Sequence, residues 1–211
     1  MIKVAFGTAI ALSVGAGVFI SSKTRTLRKE LTGFTRTVGV HPGGVGLGKV
    51  LPTFTPIPGD SLVGFSSGCF WGSEEAFRRM PGIVATAVGY TGGSSRFPTY
   101  EQAHATGHLE TVLVEFNPRR TPFNALLRAF WALPRSTSNA SVSPKSPYRA
   151  AIWTYDTDER KLANESRDAL ERKLHRKLPV EIRPAQPFYL AEEYHQQYDE
   201  KAGKELCDAG P

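Results

Sequence analysis

The run from residue 61 to residue 80 constrains the fold most, because it specifies a strand, a short connection and a helix in succession. Residues 61–65 are partly apolar and are followed by Ser and Gly, which is typical of a strand that ends in a loop. Apolar residues then recur at helical spacing from 76 to 80, and a Pro-Gly pair ends the helix. Cys69 is therefore predicted to lie between the end of the strand and the first turn of the helix.

Such a position favours a reactive cysteine. Free backbone N–H groups and the positive end of the helix dipole gather there, and both favour thiolate over thiol. Phe70 and Trp71 follow directly and can wall an apolar pocket. The alternative is a buried structural cysteine, because free Cys is among the most buried residue types. The local sequence leaves both interpretations open.

The rest of the chain mixes strands and helices without strict alternation. Strands are predicted at 84–88, 111–116, 148–155 and 180–183, and helices at 123–131, 158–178 and 191–200, with a Ser/Pro-rich loop at 134–147. This order predicts an α+β fold with a ferredoxin-like split βαβ core, a mixed sheet, helices on the sheet and long irregular loops.

Glu110 lies just before the strand at 111–116. Alternation places its carboxylate on the same face as Val112, Val114 and Phe116. A carboxylate at the end of an apolar face has a raised pKa and can hold a proton near neutrality. The alternative is a solvated strand end, and the pattern alone does not separate the two.

Charge and cysteine content exclude several classes of protein. The net charge of +6 comes from residues 1–59, which hold seven basic residues and one acid, whereas the remainder carries 19 of each. A neutral globular part argues against nucleic-acid binding. Two cysteines, Cys69 and Cys207, are too few for a secreted disulfide scaffold and favour catalytic or transient pairing. His104 and His108 could complete four zinc ligands, but the close-paired Cys spacing is missing, so we expect no metal and no cofactor.

Three segments are predicted along the chain. Residues 1–22 form a signal or membrane-anchor segment, because residues 4–20 are uncharged and lie between the lengths of a signal-peptide core and a membrane span. Residues 23–59 form a linker that is first basic and then rich in Gly and Pro. Residues 60–211 form the catalytic domain and its tail. We expect membrane attachment or export. The basic residues after the apolar run would hold the domain in the cytoplasm. An organellar transit peptide also fits the composition, so the sequence does not decide on which side of the membrane the domain lies.

Seven short elements of this domain resemble the A-type peptide methionine sulfoxide reductases. They are Gly-Cys-Phe-Trp-Gly at 68–72, Ala-Val-Gly-Tyr-Thr-Gly-Gly at 87–93, Pro-Thr-Tyr at 98–100, Gly-His-Leu-Glu at 107–110, Phe-Trp at 130–131, Tyr-Arg at 148–149 and Tyr-His-Gln-Gln-Tyr at 194–198. They occur in family order and cover nearly all of the domain.

The resemblance implies a role for each site residue. Cys69 is the nucleophile that attacks the sulfoxide sulfur, and Phe70 and Trp71 are the walls around the substrate methyl group. Glu110 is the general acid. Tyr100 and Tyr148 are hydrogen-bond donors to the sulfoxide oxygen. The substrate would be the S-epimer of methionine sulfoxide, free or in proteins, and we expect a monomer.

The resemblance also implies a recycling route. Cys207 stands where the family often has a resolving cysteine, which would form a disulfide with oxidised Cys69 that a thioredoxin-type dithiol reduces. Alternatively, Cys207 is a passenger thiol in a loose tail.

One loop departs from the family. Residues 133–136 read Leu-Pro-Arg-Ser where the family has His-Asp-Pro, and Ser143 stands where it has an aspartate. This opens a second hypothesis, a degenerate member that binds oxidised methionine with little turnover. A third is a Cys-His acyl-transfer hydrolase with His104 or His108 as base.

Overall fold

The computed structural model describes residues 50–51, 56, 58–138, 143 and 146–202. Its strands are β1 (Val50–Leu51), β2 (Ser61–Ser67), β3 (Ile83–Thr91), β4 (Leu109–Phe116), β5 (Ala150–Thr154), β6 (Val180–Pro184) and β7 (Phe188–Leu190). Its helices are α1 (Phe70–Arg78), α2 (Tyr100–Ala105), α3 (Phe123–Ala132), α4 (Pro134–Thr137), α5 (Thr157–Leu174) and α6 (Tyr198–Lys201), with a 3₁₀ turn at Glu193–His195.

Within the described ranges the strands form one mixed sheet in the order β1-β7-β3-β4-β2-β5-β6. Helix α1 connects β2 to β3, and β4 lies between these two strands in the sheet. Helix α3 connects β4 to β5, and β2 lies between those two. These four central strands pair antiparallel, and β6 pairs parallel to β5. Two interleaved split βαβ units are the ferredoxin-like arrangement. The predicted α+β fold class is confirmed.

Helices α1 and α3 bury an aromatic cluster against the central sheet. The ring of Phe65 on β2 lies 4.6 Å from that of Phe77 on α1 and 5.3 Å from that of Phe130 on α3. All three side chains are fully buried. This cluster fixes α1 on the sheet, and with it the position of Cys69 at the helix's start.

The segment predicted as one helix at 191–200 is instead the 3₁₀ turn followed by α6. Gln197, between them, has a left-handed φ of 53° and donates its N–H to Glu74 Oε2 at 2.7 Å. The Gln196 side chain accepts from the Val88 N–H and donates to the Val88 carbonyl, both at 2.9 Å. These tertiary bonds to β3 and α1 outweigh the local helical pattern.

The chain's beginning and end are described only in part. Within the predicted linker, Val50–Leu51 pairs antiparallel with β7 and forms an outer strand of the sheet. Residues 1–22, most of 23–59 and Cys207 lie outside the described residues. Over the part that is described, none of the helices combines the length and apolar character needed to cross a membrane.

Candidate active site

Cys69 stands immediately before α1, where the sequence predicts it. Gly68 has a φ of 78°, a left-handed value that glycine adopts without strain, and this turns the chain from β2 into the helix. Cys69 itself is the N-cap residue, but its side chain makes no capping hydrogen bond and the residue is exposed. The alternative of a buried structural cysteine is therefore wrong.

Glu110, the second residue of β4, lies buried beside the start of α1. Its side chain is 2% exposed, and Oε2 accepts the Phe70 N–H at 3.1 Å. This bond ties the carboxyl group to the residue that follows Cys69. Burial raises the pKa of Glu110 to about 7, and the bond from Phe70 partly opposes that shift. Glu110 therefore lies buried, as the alternation along the strand predicts, and a solvated strand end is excluded.

Tyr100 and Tyr148 belong to the same cluster. Burial raises the pKa of Tyr148, and a hydrogen bond with Tyr100 and the negative charges of Glu110 and Cys69 raise it further. Each of these three groups is therefore close enough to Tyr148 to act on it. Tyr148 therefore keeps its proton at neutral pH. A phenol hydroxyl can donate a hydrogen bond, so both side chains offer a donor.

The two aromatic residues after Cys69 lie in different environments. Phe70 is 2% exposed, within the core. Trp71 is partly exposed, stacks on Tyr198 with ring centroids 3.7 Å apart, and donates Nε1–H to His195 Nδ1 at 3.0 Å. Trp71 is thus the rigid, partly exposed ring beside Cys69, whereas Phe70 contributes its backbone N–H to Glu110.

Glu192 and His195 were not assigned roles from the sequence. Glu192 accepts from the Tyr90 hydroxyl at 2.8 Å and from the Tyr100 N–H at 3.0 Å. Burial raises the pKa of Glu192, but the hydrogen bonds that its carboxylate accepts lower the pKa by more, so the pKa lies below its ordinary value. His195 lies within the Tyr-His-Gln-Gln-Tyr element, which could have singled it out, but the partners of both residues lie far away in sequence.

The end of the divergent loop supports Tyr148 and Glu110. Ser146 Oγ accepts the Tyr148 N–H at 3.1 Å, and the Pro147 carbonyl accepts the Glu110 N–H at 3.1 Å. The Ser143 carbonyl accepts the Ser146 N–H at 2.8 Å. These bonds hold both site residues without the family's aspartate.

The two histidines considered as zinc ligands or hydrolase bases lie in separate surroundings. His104 Nε2 is 3.5 Å from Glu110 Oε1. His108 is fully buried, bonds Thr106 Oγ1 through Nδ1 at 2.9 Å, and packs its ring against Tyr189. Across the described ranges, no group of three or more His, Cys, Asp or Glu side chains is placed to hold a metal ion.

An exposed cysteine at a helix start, a buried carboxyl group of raised pKa and two phenols lie together in this structure, an arrangement typical of cysteine-dependent enzymes. Comparison with known proteins agrees. The family model described as peptide methionine sulfoxide reductase matches residues 61–210.

Relatives and solved structures point the same way. The chain is 42% identical to peptide methionine sulfoxide reductase A2 of Arabidopsis thaliana over 152 residues, 70% of each chain. It is 44% identical to the enzyme MsrA of Methanosarcina mazei over 154 residues, 69% of this chain and 73% of that one. The structure of methionine sulfoxide reductase A of Corynebacterium diphtheriae superposes with a TM-score of 0.66 at 27% identity, covering 82% of this chain and 88% of that one. The chain belongs to the peptide methionine sulfoxide reductase family.

Proposed function

We propose that this protein reduces the S-epimer of methionine sulfoxide, free or in proteins, with Cys69 as nucleophile and Glu110 as general acid. The observation that supports the proposal is the bond from the Phe70 N–H to Glu110, a buried carboxyl group of raised pKa, because Phe70 directly follows Cys69.

The chemistry follows from these two groups. The Cys69 thiolate attacks the sulfoxide sulfur and forms an S–S bond while Glu110 gives its proton to the sulfoxide oxygen. That oxygen then moves to the Cys69 sulfur, and both the S–S bond and the substrate S–O bond break. Methionine leaves with its sulfur reduced by two electrons, and Cys69, oxidised by two electrons, becomes a sulfenic acid that carries the proton from Glu110. The carboxylate then regains a proton from solvent.

The surrounding residues orient the substrate. The hydroxyls of Tyr100 and Tyr148 donate hydrogen bonds to the sulfoxide oxygen, and such donors act most strongly where water is excluded. Phe70 and Trp71 form the walls around the substrate methyl group, and Trp71 is held in place by Tyr198 and His195.

Recycling uses the chain's second cysteine. Cys207 condenses with the sulfenic acid of Cys69, which releases water and forms a disulfide. A thioredoxin-type dithiol then reduces this disulfide by thiol exchange.

The alternative of a degenerate binder without turnover rests on the divergent loop. The hydrogen bonds that the backbone N–H groups of Tyr148 and Glu110 donate to Ser146 Oγ and the Pro147 carbonyl keep both residues in place, which favours a working enzyme over a binder. We infer a slower reductase, because Ser143 brings no charge to the position where the family has an aspartate.

Single-turnover formation of methionine tests the proposal. Reduced protein is mixed with saturating methionine-S-sulfoxide, and methionine is quantified against Cys69→Ser as the control. We expect about one equivalent of methionine per protein and none from the control. Saturable binding without product would favour the degenerate binder, and cleavage of a model ester would favour the hydrolase.

We further propose that the protein acts as a monomer and that residues 4–20 attach it to a membrane or direct its export. The support is the uncharged run itself, followed by basic residues. Membrane fractionation of the full chain, with protease protection, should recover it in the membrane fraction or exported. Recovery of uncleaved protein in the soluble cytoplasmic fraction would refute this.

A further inference from the structure

The His104 side chain lies beside the oxygen of Glu110 that Phe70 does not bond. His104 Nε2 is 3.5 Å from Glu110 Oε1, whereas Oε2 accepts the Phe70 N–H. An N–H···O bond is ordinarily about 2.7–3.2 Å long, so this one is not yet formed. His104 Nε2 is buried and has no hydrogen-bond partner within the described part of the chain. A buried polar atom left without a partner points to one that arrives during function.

The His104 ring is held by the two proposed phenol donors. Its centroid is 4.5 Å from that of Tyr100, one turn earlier on α2, and its edge contact with Tyr148 has a centroid distance of 5.7 Å. Helix α2 is itself fixed by a capping box between Thr99 and Gln102. The ring is therefore positioned at the mouth of the acid site, with 30% of the side chain exposed.

The charge state of His104 suits a donor. Burial lowers the pKa of His104, which favours the neutral ring, and a neutral imidazole carries one N–H. Three tyrosines are the titratable groups next to the pair: Tyr100 on α2 and Tyr148 before β5, whose rings contact that of His104, and Tyr90 on β3, whose pKa the charge of Glu110 raises. Behind them, Glu192 and His195 contact Tyr100, and Cys69 acts on Tyr148.

We propose that His104 is a positioning residue that donates its Nε2–H to Glu110 Oε1 once Glu110 has given its proton to the sulfoxide oxygen. The inference rests on the proposed function of Glu110. No bond of His104 breaks, and the imidazole closes the 3.5 Å gap as negative charge develops on the buried carboxylate. Charge-assisted hydrogen bonds of this kind are the stronger ones.

Two variants distinguish the effect of the His104 N–H donor from the effect of its ring packing. His104→Phe keeps an aromatic ring against Tyr100 but has no donor, whereas His104→Gln gives up the ring and places an amide N–H near the Nε2 position. The exposed His175→Asn serves as the matched control. The measurement is the single-turnover rate of methionine formation from pH 5 to pH 9.

We expect His104→Phe to lower the plateau rate about tenfold and to move the basic limb of the profile up by about one pH unit, the effect of one lost charged hydrogen bond. The limb moves up because a carboxylate without this donor is less stable and holds its proton to higher pH. His104→Gln should stay within about threefold of the unchanged protein, with its limb in place, since an amide replaces the donor.

The outcomes are distinguishable. Equal losses of rate in both variants, with the basic limb of the pH profile unmoved, would show that the His104 ring matters only for packing and would overturn the inference. An unchanged protein that makes no methionine would refute the proposed function instead. Infrared titration of the Glu110 carboxyl band then tests the interaction between His104 and Glu110 directly. The band is identified as the one that is lost in Glu110→Gln. His104→Phe should raise its midpoint by about one pH unit, and an unchanged midpoint would overturn the inference.

Discussion

Replacing Glu110 by Gln should damage activity and stabilise the fold at the same time. The amide has nearly the same shape and can still accept the Phe70 N–H, but it carries no transferable proton. Loss of a positioned general acid costs about 10²–10⁴-fold in rate. The single-turnover rate should fall by that amount, while binding of methionine sulfoxide is retained.

The stability effect follows from the pKa of about 7 in the folded protein against an ordinary value of 4.5. A raised pKa means that the folded state binds the proton more tightly, so this contribution is fully present below pH 4.5 and is lost as pH rises towards 7. The difference of about 2.5 units corresponds to about 3 kcal/mol at 1.36 kcal/mol per unit. Relative to the unchanged protein, Glu110→Gln should gain about that much in free energy of unfolding between pH 4.5 and pH 8.

Urea denaturation of both reduced proteins across this pH range measures the difference, and the other titrating groups cancel in the subtraction. A difference that stays flat with pH would refute the conclusion that Glu110 is a buried, proton-holding acid. A rate unchanged by the substitution would refute its role as the acid.

Three further perturbations test other parts of the account. Cys207→Ser should stop thioredoxin-driven turnover but still release one equivalent of methionine, and a thioredoxin-supported steady-state rate equal to that of the unchanged protein would contradict this. Ser143→Asp should raise the single-turnover rate by up to about 10²-fold if the missing charge acts on the transition state, and an unchanged rate would show that the loop bonds at Ser146 suffice. Phe65→Ala should lower the free energy of unfolding by about 3–5 kcal/mol, because it empties the centre of the aromatic cluster; a loss below about 1 kcal/mol, measured by urea denaturation, would refute that placement.

Local patterns predicted much of the fold and site. The strand–helix junction at Cys69 depends on spacing and turn residues close in sequence, so it could be predicted, as could the side of β4 that carries Glu110. The interrupted helix at 191–200 could not, because the bonds of Gln196 and Gln197 reach β3 and α1, which lie more than 100 residues earlier.

The surroundings of Glu110 show the same limit. Alternation along β4 indicated an apolar environment, but the bond from Phe70 and the approach of His104 depend on how α1 and α2 lie against the start of β4. Separately, β7 was not predicted, since a strand of three residues carries too little pattern to recognise.

The central claim is that Cys69 takes the oxygen from methionine-S-sulfoxide. Cys207→Ser protein, fully reduced, is mixed with this substrate and a sulfenic-acid trap, and both the methionine released and the adduct on Cys69 are quantified by mass spectrometry. The account predicts equal amounts of methionine and Cys69 adduct, both increasing together with time, and neither with the R-epimer. Methionine formed while Cys69 stays unmodified would contradict it.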